Sequence, residues 1–281
     1  MARLLGRRRG RVATSQAAQR EEIGWEVSAR SETGYVREDN QDRMTCVHVG
    51  EDRIYAVADG MGGHKGGGLA AELTVKSIET WFKSAPSSGS PPEAIRLALE
   101  AANAAVDAKA HCGDPDTEGM GSTAVLVLTR KSIAYVGHVG DSRAYLYRGG
   151  ALHQLTKDHT RVQRMVDAGM VTPAEARDHP EGSILEQAIG QKPTVVVDIG
   201  AELQLQEGDG ILLCSDGLSG YVDSDEILAV LQSGASVQEL SDRLVRRALD
   251  QGGYDNVTVQ FIQYGQRAEV LREPNRLLGL I

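Results

Sequence analysis

Two segments of the chain repeat one design. Ile54-Tyr55-Ala56-Val57-Ala58 runs into Asp59-Gly60, and Ile211-Leu212-Leu213-Cys214 runs into Ser215-Asp216-Gly217. Short apolar runs with sharp ends read as buried strands. Each run therefore delivers one carboxylate to the end of a buried strand, with a glycine just behind it. A charge taken out of water without a partner is costly. Two such carboxylates brought together repel each other unless a cation sits between them. Hard divalent ions such as Mg²⁺ and Mn²⁺ take oxygen ligands of this kind. The doublet thus points to a fold in which two strand ends meet over a metal-centred site.

The remaining pattern supplies the rest of such a fold. Strands are expected at 23–29, 44–49, 53–58, 122–128, 132–139, 143–148, 151–155, 194–199, 211–214 and 257–264. Gly149-Gly150 marks a two-residue hairpin. A helix is expected from Leu69 to Lys83. A second opens at Pro91-Pro92, where the missing N–H costs nothing, and carries Ile95, Leu99, Ala102 and Val106 at helical spacing. A short helix starts at Ser224. Ser236-Val237-Gln238-Glu239 is a capping box for another, stopped by Gly252-Gly253. Hairpins adjacent in sequence, with helices in pairs between blocks of strands, predict an α+β fold. Its form is an αββα four-layer sandwich of two stacked, mostly antiparallel β-sheets flanked by helix pairs. From about residue 158 to 190 the pattern loosens into short helical pieces and turns, which reads as a flap over a site.

Bulk properties narrow the function classes. At 281 residues and 41% hydrophobic, the chain suits one large domain. No apolar run approaches the roughly 20 residues of a membrane span. The net charge of −9 argues against non-specific nucleic-acid binding. Three scattered cysteines, Cys46, Cys112 and Cys214, do not form a disulfide framework, and a cytoplasmic location is expected. Residues 1–22 hold Arg3, Arg7, Arg8, Arg9 and Arg11 before the first acid, Glu21, and lack the apolar core of a secretory signal. They read as a disordered basic tail; a docking arm for an acidic surface and a transit peptide are the alternatives. The domain is expected over 23–264, with 265–281 as a C-terminal tail.

Further acidic sites stand at element ends: Asp255-Asn256 before the last strand, Gly140-Asp141-Ser142-Arg143 between two strands, and Arg37-Glu38-Asp39-Asn40-Gln41-Asp42 before the second strand. Singly these are ordinary turn sequences; the set carries the signal. Together with Asp59-Gly60-Met61-Gly62-Gly63-His64, Gly121-Ser122-Thr123 and Ser215-Asp216-Gly217, in this order, the chain resembles the metal-dependent protein phosphatase family (PPM, or PP2C-type), its bacterial branch above all. The resemblance runs from about Ile23 to Tyr264, and the family's sandwich of two antiparallel sheets flanked by helix pairs agrees with the pattern above.

The resemblance implies a serine/threonine phosphoprotein phosphatase. Such an enzyme hydrolyses phosphomonoesters with a metal-activated water at a dinuclear Mn²⁺ or Mg²⁺ centre. It acts as a monomer on phosphorylated proteins and opposes a Ser/Thr kinase. By the same resemblance, Asp59 bridges two ions and the Gly60 carbonyl ligates one. Asp216 and Asp255 hold the other, Asp141 with Asp216 forms a third metal site, Asp42 acts through water, and Arg37 grips the substrate phosphate with its planar fork.

Two positions depart from eukaryotic members: Gln41 stands where some have Glu, and Met61 where they have a His proposed as general acid. His64 is near but at a different position. In the flap, Gly182-Ser183 and Glu186-Gln187 replace the Asn and Arg frequent in bacterial relatives. Two rival readings remain. A phosphoprotein-binding pseudophosphatase would be expected to lose ligands, and all the matched aspartates are present. A two-metal phosphodiesterase or nuclease is opposed by the −9 charge. His64-Lys65-Gly66-Gly67-Gly68 lacks P-loop spacing, and Cys112 lacks the Cys-x5-Arg setting of a cysteine phosphatase.

Overall fold

The computed structural model describes residues 24–62, 66–84 and 89–265. The Arg-rich start of the chain, His64 and the segment from Gln266 lie outside the described residues. Three strands open the fold: β1 (Gly24–Glu32), β2 (Asp42–Val49) and β3 (Asp52–Met61). A helix pair follows, α1 (Gly66–Ser84) and α2 (Pro91–Ala110). Next come β4 (Gly121–Ser122), β5 (Ala124–Arg130), β6 (Ile133–Val139), β7 (Arg143–Arg148) and β8 (Ala151–Gln154). The flap contributes α3 (Arg161–Asp167) and α4 (Pro173–Arg177). The chain closes through β9 (Asp198–Ile199), β10 (Leu203–Gln204), β11 (Gly210–Cys214), α5 (Asp216–Ser219), α6 (Ser224–Leu231), α7 (Val237–Asp250) and β12 (Val257–Gly265).

The strands form two antiparallel sheets. One runs β1-β12-β11-β7-β8; the other runs β10-β6-β5-β3-β2, with β4 beside β3 and β9 beside β6. Strand alternation builds three apolar layers between four structural ones. Tyr55, Val57, Val125, Val127, Ile211, Leu213 and Ile262 meet between the sheets. Ile54, Leu126 and Leu128, on the opposite face of their sheet, pack under Ile78, Ile95 and Leu99 of α1 and α2. Leu212, Val259 and Phe261 pack under Ile227, Leu240 and Leu244 of α6 and α7. Both faces of the central strands are covered, which is why β11 reads as an unbroken apolar run and all its residues are buried. This is the αββα sandwich expected from the sequence. Among the described residues, no helix is long and apolar enough to cross a membrane.

Four local expectations are corrected. The strand expected at 194–199 shrinks to Asp198–Ile199, because the segment lies against β6 only from Asp198; Gly200 then kinks it before β10 pairs further along the same strand. The strand expected from Ser122 is broken at Thr123, whose hydroxyl accepts a hydrogen bond from the Asp59 amide instead of continuing the ladder. A one-turn helix, α5, starts directly at Asp216 where a turn was expected. Gly265, assigned to the tail, is the last residue of β12 and pairs with Gly24.

Leu212 is fully buried in the layer under α6 and α7. Leu212→Ala is expected to cost about 2–5 kcal/mol in urea unfolding; a change near zero would contradict this layer assignment.

Candidate metal centre and active site

The two Asp-Gly doublets lie at the same end of the sandwich. Asp59 and Gly60 end β3, in the seven-stranded sheet; Asp216 follows β11, in the five-stranded one. Their carboxyls come close together, each among the groups that shift the other's pKa. The glycines permit this meeting. A Cβ on Gly60 would lie 2.0 Å from the Gly67 carbonyl oxygen at the start of α1, and one on Gly217 would lie 1.9 Å from the Asn256 carbonyl oxygen. The internal echo in the sequence is thus two strand ends converging from the two sheets.

Asp59 and Asp216 open onto a cavity of about 790 Å³, which also takes in Arg37, Gly60, Asp141 and Asp255. Asp141 comes from the turn between β6 and β7, Asp255 from the loop before β12, and Arg37 from the loop between β1 and β2. Asp42 does not line the cavity. It opens β2 opposite Asp59, buried behind the site, where its Oδ2 accepts a hydrogen bond from Ser215 Oγ at 2.7 Å. Arg37 Nη2 donates to Asp255 Oδ2 at 2.7 Å, and this bond raises the guanidinium pKa further. Glu38 and Asp39 also line the cavity, so six carboxylates face one guanidinium among the described residues.

Burial sets the electrostatics. It pushes the carboxyls of Asp59, Asp141 and Asp216 upward, and repulsion from neighbouring carboxylates, Asp255 in the case of Asp216, adds to the shift. Asp42 is pushed up to about 7, chiefly by burial and against the hydrogen bond from Ser215. Among the described residues, Asp42 Oδ1 and Asp216 Oδ1 are buried and have no hydrogen-bond partner. Carboxyls this close and this dry require a proton or a cation between them. The donors are all hard oxygens, the type that Mg²⁺ and Mn²⁺ prefer. The residues therefore fit divalent cations, with Asp59, Gly60, Asp141, Asp216 and Asp255 available as ligands.

Four supporting residues carry no role in the sequence pattern alone, although each stands inside one of the motifs above. Thr123 and Ser122 clasp the Asp59 backbone: the Thr123 amide and Ser122 Oγ both donate to the Asp59 carbonyl, at 2.8 and 3.0 Å. Ser215, besides holding Asp42, accepts from the Thr258 amide at 3.0 Å. Asn256 straps down the Arg37 loop. Its Nδ2 donates to the carbonyls of Thr33 and Asp39 at 2.9 Å, and its Oδ1 accepts from the Gln41 amide at 2.8 Å. The signal available was their place next to a carboxylate in Gly-Ser-Thr, Ser-Asp-Gly and Asp-Asn. Gln41 and Met61, the two departures from the eukaryotic pattern, line the cavity. The flap departures divide: Ser183 faces this cavity, while Glu186 and Gln187 line a neighbouring one of about 680 Å³.

A family model described as protein phosphatase 2C matches residues 33–261. The chain belongs to that family. It is 39% identical over 252 residues to the serine/threonine protein phosphatase PstP of Mycobacterium tuberculosis, covering 87% of this chain and 47% of the relative. The chain thus spans about half the length of that relative. It is 34% identical over 259 residues to the protein phosphatase PhpP of Streptococcus pneumoniae, covering 86% of this chain and 98% of the relative. A solved structure of the PstP catalytic domain, in complex with two manganese ions, superposes with a TM-score of 0.74 at 36% identity, covering 86% of this chain and 99% of that one.

The raised carboxyls predict an inverted pH dependence. The folded pKa of Asp42, about 7, lies above the unfolded value of about 3.9. Its contribution to stability is therefore fully present below the unfolded pKa and is lost as pH rises through the folded one. In EDTA, the melting midpoint is expected to fall between about pH 4 and 7. Mn²⁺ should restore it, and Asp42→Asn should flatten the slope. A wild-type midpoint that climbs across this window in EDTA would contradict the site's electrostatics.

Proposed function

We propose that this protein is a metal-dependent serine/threonine phosphoprotein phosphatase. The observation that carries the proposal is the close approach of the Asp59 and Asp216 carboxyls at the floor of an acidic cavity with Arg37 at its rim, in a chain of the protein phosphatase 2C family. The names of PstP and PhpP support the substrate class. The manganese pair in the PstP catalytic domain supports Mn²⁺, or the similarly hard Mg²⁺, as cofactor.

In this reading Asp59, Gly60, Asp216 and Asp255 hold the two catalytic ions, and Asp141 with Asp216 holds a third. Ions there supply positive charge against the phosphoryl oxygens and bring the pKa of water toward neutrality. The chain's own residues do the positioning. Arg37 swings its planar fork from Asp255 onto two phosphate oxygens. Asp42, fixed by Ser215, holds an acceptor oxygen behind the cluster to orient water. Thr123 and Ser122 fix the backbone of Asp59, so its carboxylate is aimed before substrate arrives. Charge in phosphoryl transfer spreads over the equatorial oxygens, so positioning and electrostatics supply most of the catalysis. Met61 cannot donate the leaving-group proton that a histidine would give, so water in the open cavity is assigned that task. The physiological partners are phosphorylated proteins and a Ser/Thr kinase whose work this chain reverses. We assign it to the cytoplasm as a monomer; the three free cysteines support a reducing compartment.

The test is phosphate release from a phosphothreonine peptide with Mn²⁺, with and without EDTA. Release that EDTA abolishes is expected, together with its loss in Asp59→Ala and Asp216→Ala. Near-wild-type activity in either variant would overturn the metal assignment. Peptide binding without release would favour the pseudophosphatase, and cleavage of a phosphodiester but no monoester would favour the third reading.

A further inference from the structure

Away from the acidic cavity, two histidines and an aspartate form a cluster at the base of the flap. His138 of β6 is the direct cross-strand partner of Asp198 in β9. His159, where the flap begins, stacks on His138 with ring centroids 4.6 Å apart and planes 30° from parallel. One ligating atom from each of the three lies within 4.8 Å of the other two, a spacing that could hold a metal ion.

The ring nitrogens point to a different role. His138 Nε2 lies 2.7 Å from the Lys157 carbonyl oxygen, so it carries a proton there. His159 Nδ1 accepts a hydrogen bond from the Gly140 amide at 3.2 Å. The proton of the neutral His159 ring therefore sits on Nε2, which lies 3.2 Å from Oδ2 of the half-exposed Asp198 without a well-directed hydrogen bond to it. A ring that accepts an N–H at Nδ1 and binds a metal at Nε2 would have to lose both its protons. The cluster is better described as a relay from the flap through the His159 imidazole to the Gly140 amide, with the Asp198 carboxylate beside it.

The relay ends on the turn that carries Asp141. While the His159 ring accepts the Gly140 amide, the His159 amide donates to the Gly140 carbonyl at 3.0 Å. One residue therefore bonds both sides of Gly140, whose φ of +101° lies in the left-handed region that favours glycine. The His159 carbonyl in turn accepts from the Glu186 amide at 2.8 Å, on the returning limb of the flap. The His159 side chain is 8% exposed, so little water competes for these bonds.

We propose that His159 is a positioning residue for Asp141: its Nδ1 and its amide together fix the Gly140 turn, and its carbonyl joins that turn to the flap. The inference rests on the reading of Asp141 as a cation ligand given above. It adds a support from the flap to the third cation position.

The test uses the full chain, with calorimetric titration of MnCl₂ and amide hydrogen exchange at Gly140. His159→Phe keeps the bulk of the ring and removes both nitrogens, whereas His159→Asn keeps an acceptor near the place of Nδ1. His159→Phe is expected to weaken the weakest Mn²⁺ step by about tenfold or more, the usual cost of losing support behind a metal ligand, with the tighter steps unchanged. It should also speed Gly140 exchange in metal-free protein, and His159→Asn should restore both. Asp141→Ala is the reference. If it leaves the titration unchanged, Asp141 is not a ligand and the positioning claim loses its target, while Gly140 exchange still reports on the relay. If Asp141→Ala removes the weak step, but His159→Phe neither weakens it nor speeds Gly140 exchange, the relay is wrong. One Zn²⁺ per chain, lost in both His138→Ala and Asp198→Ala, would overturn the relay in favour of a metal cage. Should His159→Phe fail to fold, His159→Leu, which also removes both ring nitrogens, carries the same two readouts with the same expectations.

Discussion

The close approach of the Asp59 and Asp216 carboxyls is the constraint on which the rest of the site depends. Neither sheet could hold such a group alone, because each carboxyl leaves the end of a strand whose apolar run is buried. Stacking the sheets forces them together, and the cost of burying like charges is offset only by a proton or a cation. The surrounding features follow from that demand. Gly60 and Gly217 leave room for backbone where any side chain would collide. Thr123, Ser122 and Ser215 satisfy the polar groups next to the carboxylates, so their orientation is fixed by the fold. The apolar layers on either side of the sheet pair hold the two strand ends in place.

The same constraint explains how charge is distributed. Among the described residues the cavity gathers six carboxylates, and its one guanidinium is bonded to Asp255. A phosphate monoester, itself anionic, would be repelled from such a cavity unless cations first reversed its sign. The flap adds a second layer of organisation: its limbs are tied to the Asp141 turn through His159, and Ser183 and Leu185 reach the cavity.

Much of this was legible in the sequence, and the reason is local. Asp59, Asp216, Asp141 and Asp255 sit at element ends beside glycine, serine or asparagine, and both the strand periods and those end signals survive in one dimension. The four layers were legible because β5, β6, β11 and β12 have continuous or alternating apolar runs. The roles of Thr123, Ser215 and Asn256 were not, because each is defined by a partner 40 or more positions away: Asp59, Asp42 and Thr258, and the Arg37 loop. The shortened β9 escaped for the same reason, since its length is set by where the chain meets β6 and not by its own composition. In the flap, Ser183 and Glu186 are close neighbours in sequence yet line different cavities, a division that follows from the tertiary course of the loop.

The most direct test of the central claim is anomalous scattering at the manganese edge from crystals of this protein grown with Mn²⁺. At least two peaks in the acidic cavity are expected, with an Asp59 carboxylate oxygen ligating each of the two catalytic ions. No peak there, or manganese bound only away from Asp59 and Asp216, would contradict the account.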